Sequence, residues 1–222
     1  MISFKNQQIQ GLALDIDETL SFTAGYWVEE LSKNFGNPQK LSAREIFLKY
    51  RLIQKYPHWQ TKEAEKWMEN ARSSNEIQKN LPLIANANNA VNKLNKIIPI
   101  ACYLTVRPKN VIQGTKRWLE KHKFPKAEII ARPSSLPYEE GTRWKAKMLL
   151  KLYPKVLGIV DDNSSLIKYL PKTYKGFIFL YDIPRQKFNS KKIIACPTWE
   201  DVLNKAKTIF TKNNQFKTQS EN

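Results

Sequence analysis

The sequence predicts an α/β fold, a three-layer arrangement with a parallel sheet between helices and a helical segment inserted after the first strand. Three observations predict it. Residues 9–15 form a short apolar run that ends in acid, as a buried parallel strand does. From residue 97 onward, short apolar runs alternate with amphipathic stretches, the pattern of strand–helix units wound into a parallel sheet. Between these, residues 19–95 are rich in Glu, Lys, Gln, Asn, Trp and Tyr and read as helical.

Each element has its own signal. Ser42-Ala43-Arg44-Glu45 is a capping-box pattern that opens a helix over residues 42–55, with Ile46, Leu48, Tyr50, Leu52 and Ile53 as an imperfect apolar stripe. A second helix is expected over 62–80, with Ala64, Trp67, Met68 and Ala71 on one face, and a third over 87–96. Strands are then expected at 97–104, 127–130, 156–160 and 176–181. Helices at 111–122, 143–152 and 164–170 separate them. Thr198-Trp199-Glu200-Asp201 is a second capping-box pattern, before a last helix to about residue 209. The expected organisation is a core of residues 1–18 and 96–211, an insertion of residues 19–95, and a polar, disordered tail of residues 212–222.

Lys and Arg total 37 against 20 acidic residues, a net charge of +17. Such an excess suits a polyanion-binding protein. Lys is nevertheless spread over nearly every segment and outnumbers Arg 29 to 8, which argues for a solvated surface over a nucleic-acid groove. Cys102 and Cys196 are too few for a disulfide framework. Residues 1–8 lack a basic-then-apolar signal pattern, and the apolar run at 97–104 is too short for a bilayer. A soluble cytoplasmic protein is expected, with no membrane partner and an oligomeric state left open.

The acidic residues carry more information. The chain has six Asp, and four of them form two pairs, Asp15/Asp17 and Asp161/Asp162, each at the end of an apolar run. Strand alternation points Asp15 and Asp17 the same way. Carboxylates so close need a cation or a shared proton, and an all-oxygen site suits magnesium. Three further features follow in order: Thr105 at the end of a second buried run, with Arg107 just beyond; Lys145, with Lys147 as the alternative, at a helix start; and the acid pair Asp161-Asp162. His58 and His122 have no partners at zinc-ligand spacing, and no glycine-rich nucleotide loop is present.

With these residues in this order, the chain resembles the haloacid dehalogenase-like (HAD) hydrolase superfamily. Leu12-Ala13-Leu14-Asp15-Ile16-Asp17-Glu18-Thr19 matches its first motif and Tyr103-Leu104-Thr105 the second. Lys145, with Leu149 four residues on, matches the third, and Ile159-Val160-Asp161-Asp162 the fourth. The resemblance implies a Rossmann-like catalytic core and a phosphatase working through an aspartyl-phosphate. Asp15 is then the nucleophile and Asp17 the general acid–base, with a pKa raised by burial and its carboxylate neighbour. Thr105 and Lys145 hold the phosphoryl oxygens. Mg2+ is held by Asp15, the Asp17 backbone carbonyl and Asp162, with Asp161 second. Dehalogenase members lack the second Asp, so Asp17 favours phosphatase.

About 85 residues separate Thr19 from Thr105 but only about 40 separate Thr105 from Lys145. By the same resemblance the insertion is a C1-type cap and the substrate a small phosphorylated molecule. Trp27, the Asn34-Phe35-Gly36 turn, Tyr50 and Leu104-Thr105-Val106-Arg107 also resemble the 5'(3')-deoxyribonucleotidase-like branch. That resemblance implies a nucleotide substrate, with Tyr26 and Trp27 against a base, and Thr19 and Arg107 as further binding residues. Arg107 binds phosphate or forms a salt bridge, and both readings stay open, as does cap packing for Tyr26 and Trp27. The alternatives are a nucleic-acid end-processing phosphatase and a non-catalytic phosphate-binding protein of the same fold.

Overall fold

The computed structural model describes residues 10–50 and 52–217, with side chains to residue 211. The expected strand at 9–15 is realised as β1 (Gly11–Leu14), and residue 9 lies outside the described residues. A helical segment follows: α1 (Thr23–Phe35), α2 (Ala43–Tyr50), α3 (Lys62–Arg72) and α4 (Asn75–Asn80). The capping box before α2 forms, with Ser42 N–H donating to Glu45 Oε2 (2.8 Å) and Glu45 N–H to Ser42 Oγ (3.3 Å). The helix stops at Tyr50 and a separate 3₁₀ turn follows at Ile53–Lys55. The single helix expected over 62–80 is two, because Ser74 breaks out of the helix and caps α4 by accepting from Ile77 N–H.

Trp27, Val28, Leu31, Ile46, Tyr56, Trp59, Ala64, Met68 and Ala71 form a hydrophobic cluster of their own. The expected insertion therefore divides. Residues of α1 to α3 share this cluster, whereas α5 (Ala87–Ile97) places Ala87, Val91 and Leu94 among residues of the sheet.

The remaining strands are β2 (Ile100–Pro108), β3 (Glu128–Arg132), β4 (Val156–Asp161), β5 (Phe177–Tyr181) and β6 (Ile193–Cys196). All six run parallel, in the order β3-β2-β1-β4-β5-β6. β2 begins later than expected because α5 extends to Ile97. β6 is a strand the sequence reading does not contain. The other helices are α6 (Ile112–Lys121), α7 (Gly141–Leu152) and α8 (Trp199–Lys217); the segment at 164–170 is a 3₁₀ helix, Ser164–Tyr169. α8 continues past the expected end at 209 and carries residues 212–217 in helix, where a disordered tail is expected. Residues 218–222 of that tail lie outside the described residues. Among the described residues, no helix is long and apolar enough to cross a membrane.

Strand alternation sorts the core into two layers. Leu12, Leu14, Tyr103, Val160 and Phe179 face α5, α6 and α8. Ala13, Cys102, Leu104, Ile159 and Leu180 face α7 and the 3₁₀ helix, through Ala146, Leu149, Leu152 and Leu166. Full burial of a leucine such as Leu12 or Leu14 is worth roughly 1.5–3 kcal/mol. This anchoring positions the site: β1 lies at the centre between β2 and β4. The three strands that lead to Asp15, Thr105 and Asp161 are thus neighbours, and ligands of open parallel sheets bind beyond such carboxyl ends.

Candidate active site

The backbone N–H of Asp15 donates to Val160 O (2.9 Å), so Asp15 continues β1 beside β4. Its carboxylate is buried, 6% exposed. The chain then leaves the sheet in a tight loop: Leu20 and Ser21 N–H both donate to Ile16 O (2.8 and 2.9 Å). Glu18 adopts a left-handed conformation there (φ 56°), an uncommon backbone state for a residue with a side chain. Its Oε1 accepts from Ala24 N–H (2.6 Å), and burial pushes its carboxyl up to about 7.

Lys145, on the first turns of α7, is 3% exposed and bridges two carboxylates. Its Nζ lies 2.7 Å from Asp15 Oδ1 and 2.9 Å from Asp161 Oδ2. Burial disfavours its ammonium, but Asp15 and Asp161 more than offset this and hold the pKa above the usual lysine range. Lys147, two residues on, faces solvent. The geometry therefore places Lys145 at the carboxylates.

One oxygen each from Asp15, Asp161 and Asp162 lies within 4.8 Å of the others. Both Asp161 oxygens already have protein partners, Lys145 and the Asn163 N–H (2.9 Å). Asp15 Oδ2 and Asp162 Oδ2 have none among the described residues; Asp162 Oδ1 accepts from Thr19 Oγ1 (3.3 Å). Burial and the neighbouring Asp161 push the Asp15 carboxyl up to about 7 against the opposing pull of Lys145. Burial, Asp161 and Asp15 also raise Asp162 well above its ordinary value. Three crowded carboxylates against one ammonium leave negative charge uncompensated, and the unpaired oxygens are hard donors. The residues fit a divalent cation such as Mg2+.

Asp17 departs from its expected state. It is partly buried, and Arg107, 4% exposed, forks onto it through Nε (3.1 Å to each carboxylate oxygen) and Nη2 (2.7 Å to Oδ1). Ser21 and Thr23 hydroxyls also donate to Oδ1. Loss of water around Asp17 raises its pKa, but Arg107, with the Thr23 hydroxyl and Lys145, outweighs that and holds it below the usual carboxylate range. The raised pKa expected from its carboxylate neighbour is thus reversed by a guanidinium.

Arg107 itself is committed to this salt bridge and to Ser21 and Thr115. Thr105, 1% exposed, accepts from Arg107 N–H (3.1 Å), which leaves its own O–H free to donate. Thr19 is fully buried, held through its carbonyl by Trp199 Nε1 (3.2 Å) as well as by Asp162. Trp27 is 8% exposed, packed edge-on to Trp67, with the Arg72 guanidinium over its ring. Tyr26 is half-buried; burial raises its pKa, and its charged neighbours are Glu30, Lys33 and Glu29, not the Asp cluster. Sequence reasoning missed Ser21 and Thr23, although both lie within six residues of Asp17.

No family model and no curated protein matches the sequence. Solved structures do match. A HAD-superfamily hydrolase of subfamily IA, variant 1, from Geobacter sulfurreducens is 10% identical, with 92% of this chain and 100% of that one covered and a TM-score of 0.54. A haloacid dehalogenase-like family hydrolase from Xanthomonas campestris is 11% identical, covers 95% and 100%, and has a TM-score of 0.47. A HAD family hydrolase from Deinococcus radiodurans, with bound phosphate and sodium, is 12% identical, covers 90% and 89%, and also scores 0.47. The chain has the fold of HAD-superfamily hydrolases.

Proposed function

We propose that the protein is a magnesium-dependent phosphomonoester hydrolase that acts on a small phosphorylated metabolite, a nucleotide among the candidates, through an aspartyl-phosphate. The observation that carries this reading is the buried Asp15 carboxylate at the sheet's carboxyl edge, bonded to Lys145 and grouped with Asp161 and Asp162. Asp15 and Asp162 side chains, with the Asp17 carbonyl, would hold the cation, and Asp161 would stand behind them. When bound, Mg2+ supplies charge compensation to the phosphoryl oxygens.

In the first step an Asp15 oxygen bonds to phosphorus as the ester P–O bond breaks, and the leaving oxygen takes a proton from Asp17. In the second, Asp17 removes a proton from water as that water bonds to phosphorus and the P–O bond to Asp15 breaks. Asp17 starts ionised beside Arg107; a phosphate dianion nearby raises its pKa, so it takes up a proton from solvent as substrate binds, passes that proton to the leaving oxygen, and returns the one it takes from water to solvent when phosphate leaves. Lys145 and the Thr105 hydroxyl stabilise the phosphoryl oxygens.

The helical segment α1–α4 serves in this reading as a cap that shields the reaction from water. A panel of phosphomonoesters, assayed with magnesium and then with EDTA, tests the proposal. Hydrolysis should require magnesium and vanish in Asp15→Asn; full activity in that variant refutes the nucleophile assignment.

A further inference from the structure

Arg72 closes α3 and is half-buried, yet its guanidinium makes no hydrogen bond or ion pair among the described residues. It lies 4.4 Å from the ring centroid of Tyr138 and 5.3 Å from that of Trp27. Arg132, at the end of β3 and 4% exposed, lies against the turn that Tyr138 opens, where a Cβ on Gly141 would stand 3.4 Å from its Cδ, and its charge opposes that of Arg72. Arg132 donates from Nε to Val106 O (3.0 Å) and from Nη1 to Pro133 O (3.4 Å), and among the described residues no carboxylate bonds it. The acid that acts on it is the exposed Glu139, which forms no ion pair with it. The Tyr138 hydroxyl also has no partner among the described residues.

Two neighbouring guanidiniums without an acid between them repel, and burial adds to that cost. An anion seated there removes the repulsion, and Arg forks suit carboxylate and phosphate. The cluster adjoins the reacting centre: Val106 stands between Thr105 and Arg107, and the Asp17, Asp162 and Asp15 charges all act on the Tyr138 phenol.

We propose that Arg72, Arg132 and Tyr138 form a second anion subsite beside the phosphoryl site, which takes a carboxylate or second phosphate on the substrate's leaving group. Aromatic stacking pre-orients the Arg72 fork, and because α3 carries Arg72 while Tyr138 precedes α7, the bound anion ties the helical segment to the core. The inference rests on the phosphatase reading, and makes the substrate a phosphomonoester with two anionic ends.

Paired probes test it in the presence of magnesium: phenyl phosphate against 4-carboxyphenyl phosphate, and propyl phosphate against propane-1,3-diyl bisphosphate. In at least one pair the doubly anionic member should have a kcat/KM higher by about tenfold or more, the worth of one charge-assisted hydrogen bond. The pair with the larger ratio identifies the anion. Arg72→Ala should bring the ratio towards one, and Arg72→Lys should retain part of it. If the Ala variant melts early, Arg72→Gln, which keeps the stem, replaces it. Ratios near one in the wild type, or ratios untouched by both Arg72 variants, overturn the subsite. If no probe is hydrolysed, calorimetric titration of the same pairs decides separately. Preferential binding that depends on Arg72 leaves the subsite standing and removes the phosphatase reading, and equal binding removes both.

Discussion

Lys145→Met is the perturbation whose size follows most directly from the geometry. The change keeps the length of the side chain and removes the ammonium that lies 2.7 Å from Asp15 and 2.9 Å from Asp161. Both pairs are buried, so screening is weak, and breaking a buried pair by deleting one partner costs about 3–5 kcal/mol. For a chain of this size that corresponds to a fall in Tm of roughly 6–20 °C, at about 2–4 °C per kcal/mol. The sign with pH is defined. A lysine whose folded pKa is raised contributes in full below its unfolded value of 10.5, so neutral pH reads the whole loss. In the variant, Asp15 loses its counter-charge and its pKa climbs above about 7. A raised carboxyl gives stability that is present at low pH and lost as pH rises. The loss should therefore be smaller at pH 5 than at pH 8. The assay is thermal or urea denaturation of both proteins in EDTA at the two pH values. A variant within about 2 °C of the wild type at pH 8, less than 1 kcal/mol, would refute the view that Lys145 neutralises the cluster.

Three further outcomes are expected. Asp15 at about 7 and the raised Asp162 mean that protons compete with metal, so without metal stability falls as pH rises from about 4 through 7. Magnesium should raise Tm more at pH 8 than at pH 5, and an equal rise at both would count against binding by these carboxylates. Asp17→Asn should slow alkyl phosphates by about 10²–10⁴-fold, the usual worth of general acid–base catalysis. It should lower kcat/KM less for 4-nitrophenyl phosphate, because that parameter reports transfer to Asp15 and this leaving group needs no proton, whereas the second step still needs Asp17 with either ester; kcat/KM for the two esters makes the comparison. Gly114→Ala should destabilise the protein by about 1–3 kcal/mol in urea titrations, since its Cβ would lie 2.2 Å from the Asn75 carbonyl where α6 meets α4; an unchanged midpoint would show that the two helices part freely.

The three strands that carry the site were legible because each is an apolar run that stops at a chemically distinctive residue: Asp15, Thr105 or Asp161. Periodicity alone then delivered a parallel sheet. β6 was not legible, since Ile193–Cys196 is a short run between Lys191-Lys192 and Pro197 and ends in none of the acids or hydroxyls that mark the site strands. The break at Ser73–Ser74 is a matter of local hydrogen bonding, and Ser74 marks it only once its hydroxyl is seen to accept from Ile77 N–H. Spacing could not choose between Lys145 and Lys147, because both stand near the same helix start; burial of one and exposure of the other decides. Asp17 shows the limit most clearly. Its near neighbours in sequence are acids, which argue for a raised pKa, whereas its partner in space is Arg107, 90 residues away. Long-range pairing of that kind has no local trace, and the same holds for Arg72, Arg132 and Tyr138.

The proposed reaction requires Asp15 to be a covalent nucleophile. The most direct test quenches a turning-over reaction within milliseconds, reduces the protein with borohydride and maps it by peptide mass spectrometry. An aspartyl-phosphate at position 15 is converted to homoserine there, and the Asp15→Asn protein shows none. Phosphate release at full rate with Asp15 unmodified, or with the label on another carboxylate, would contradict the central claim.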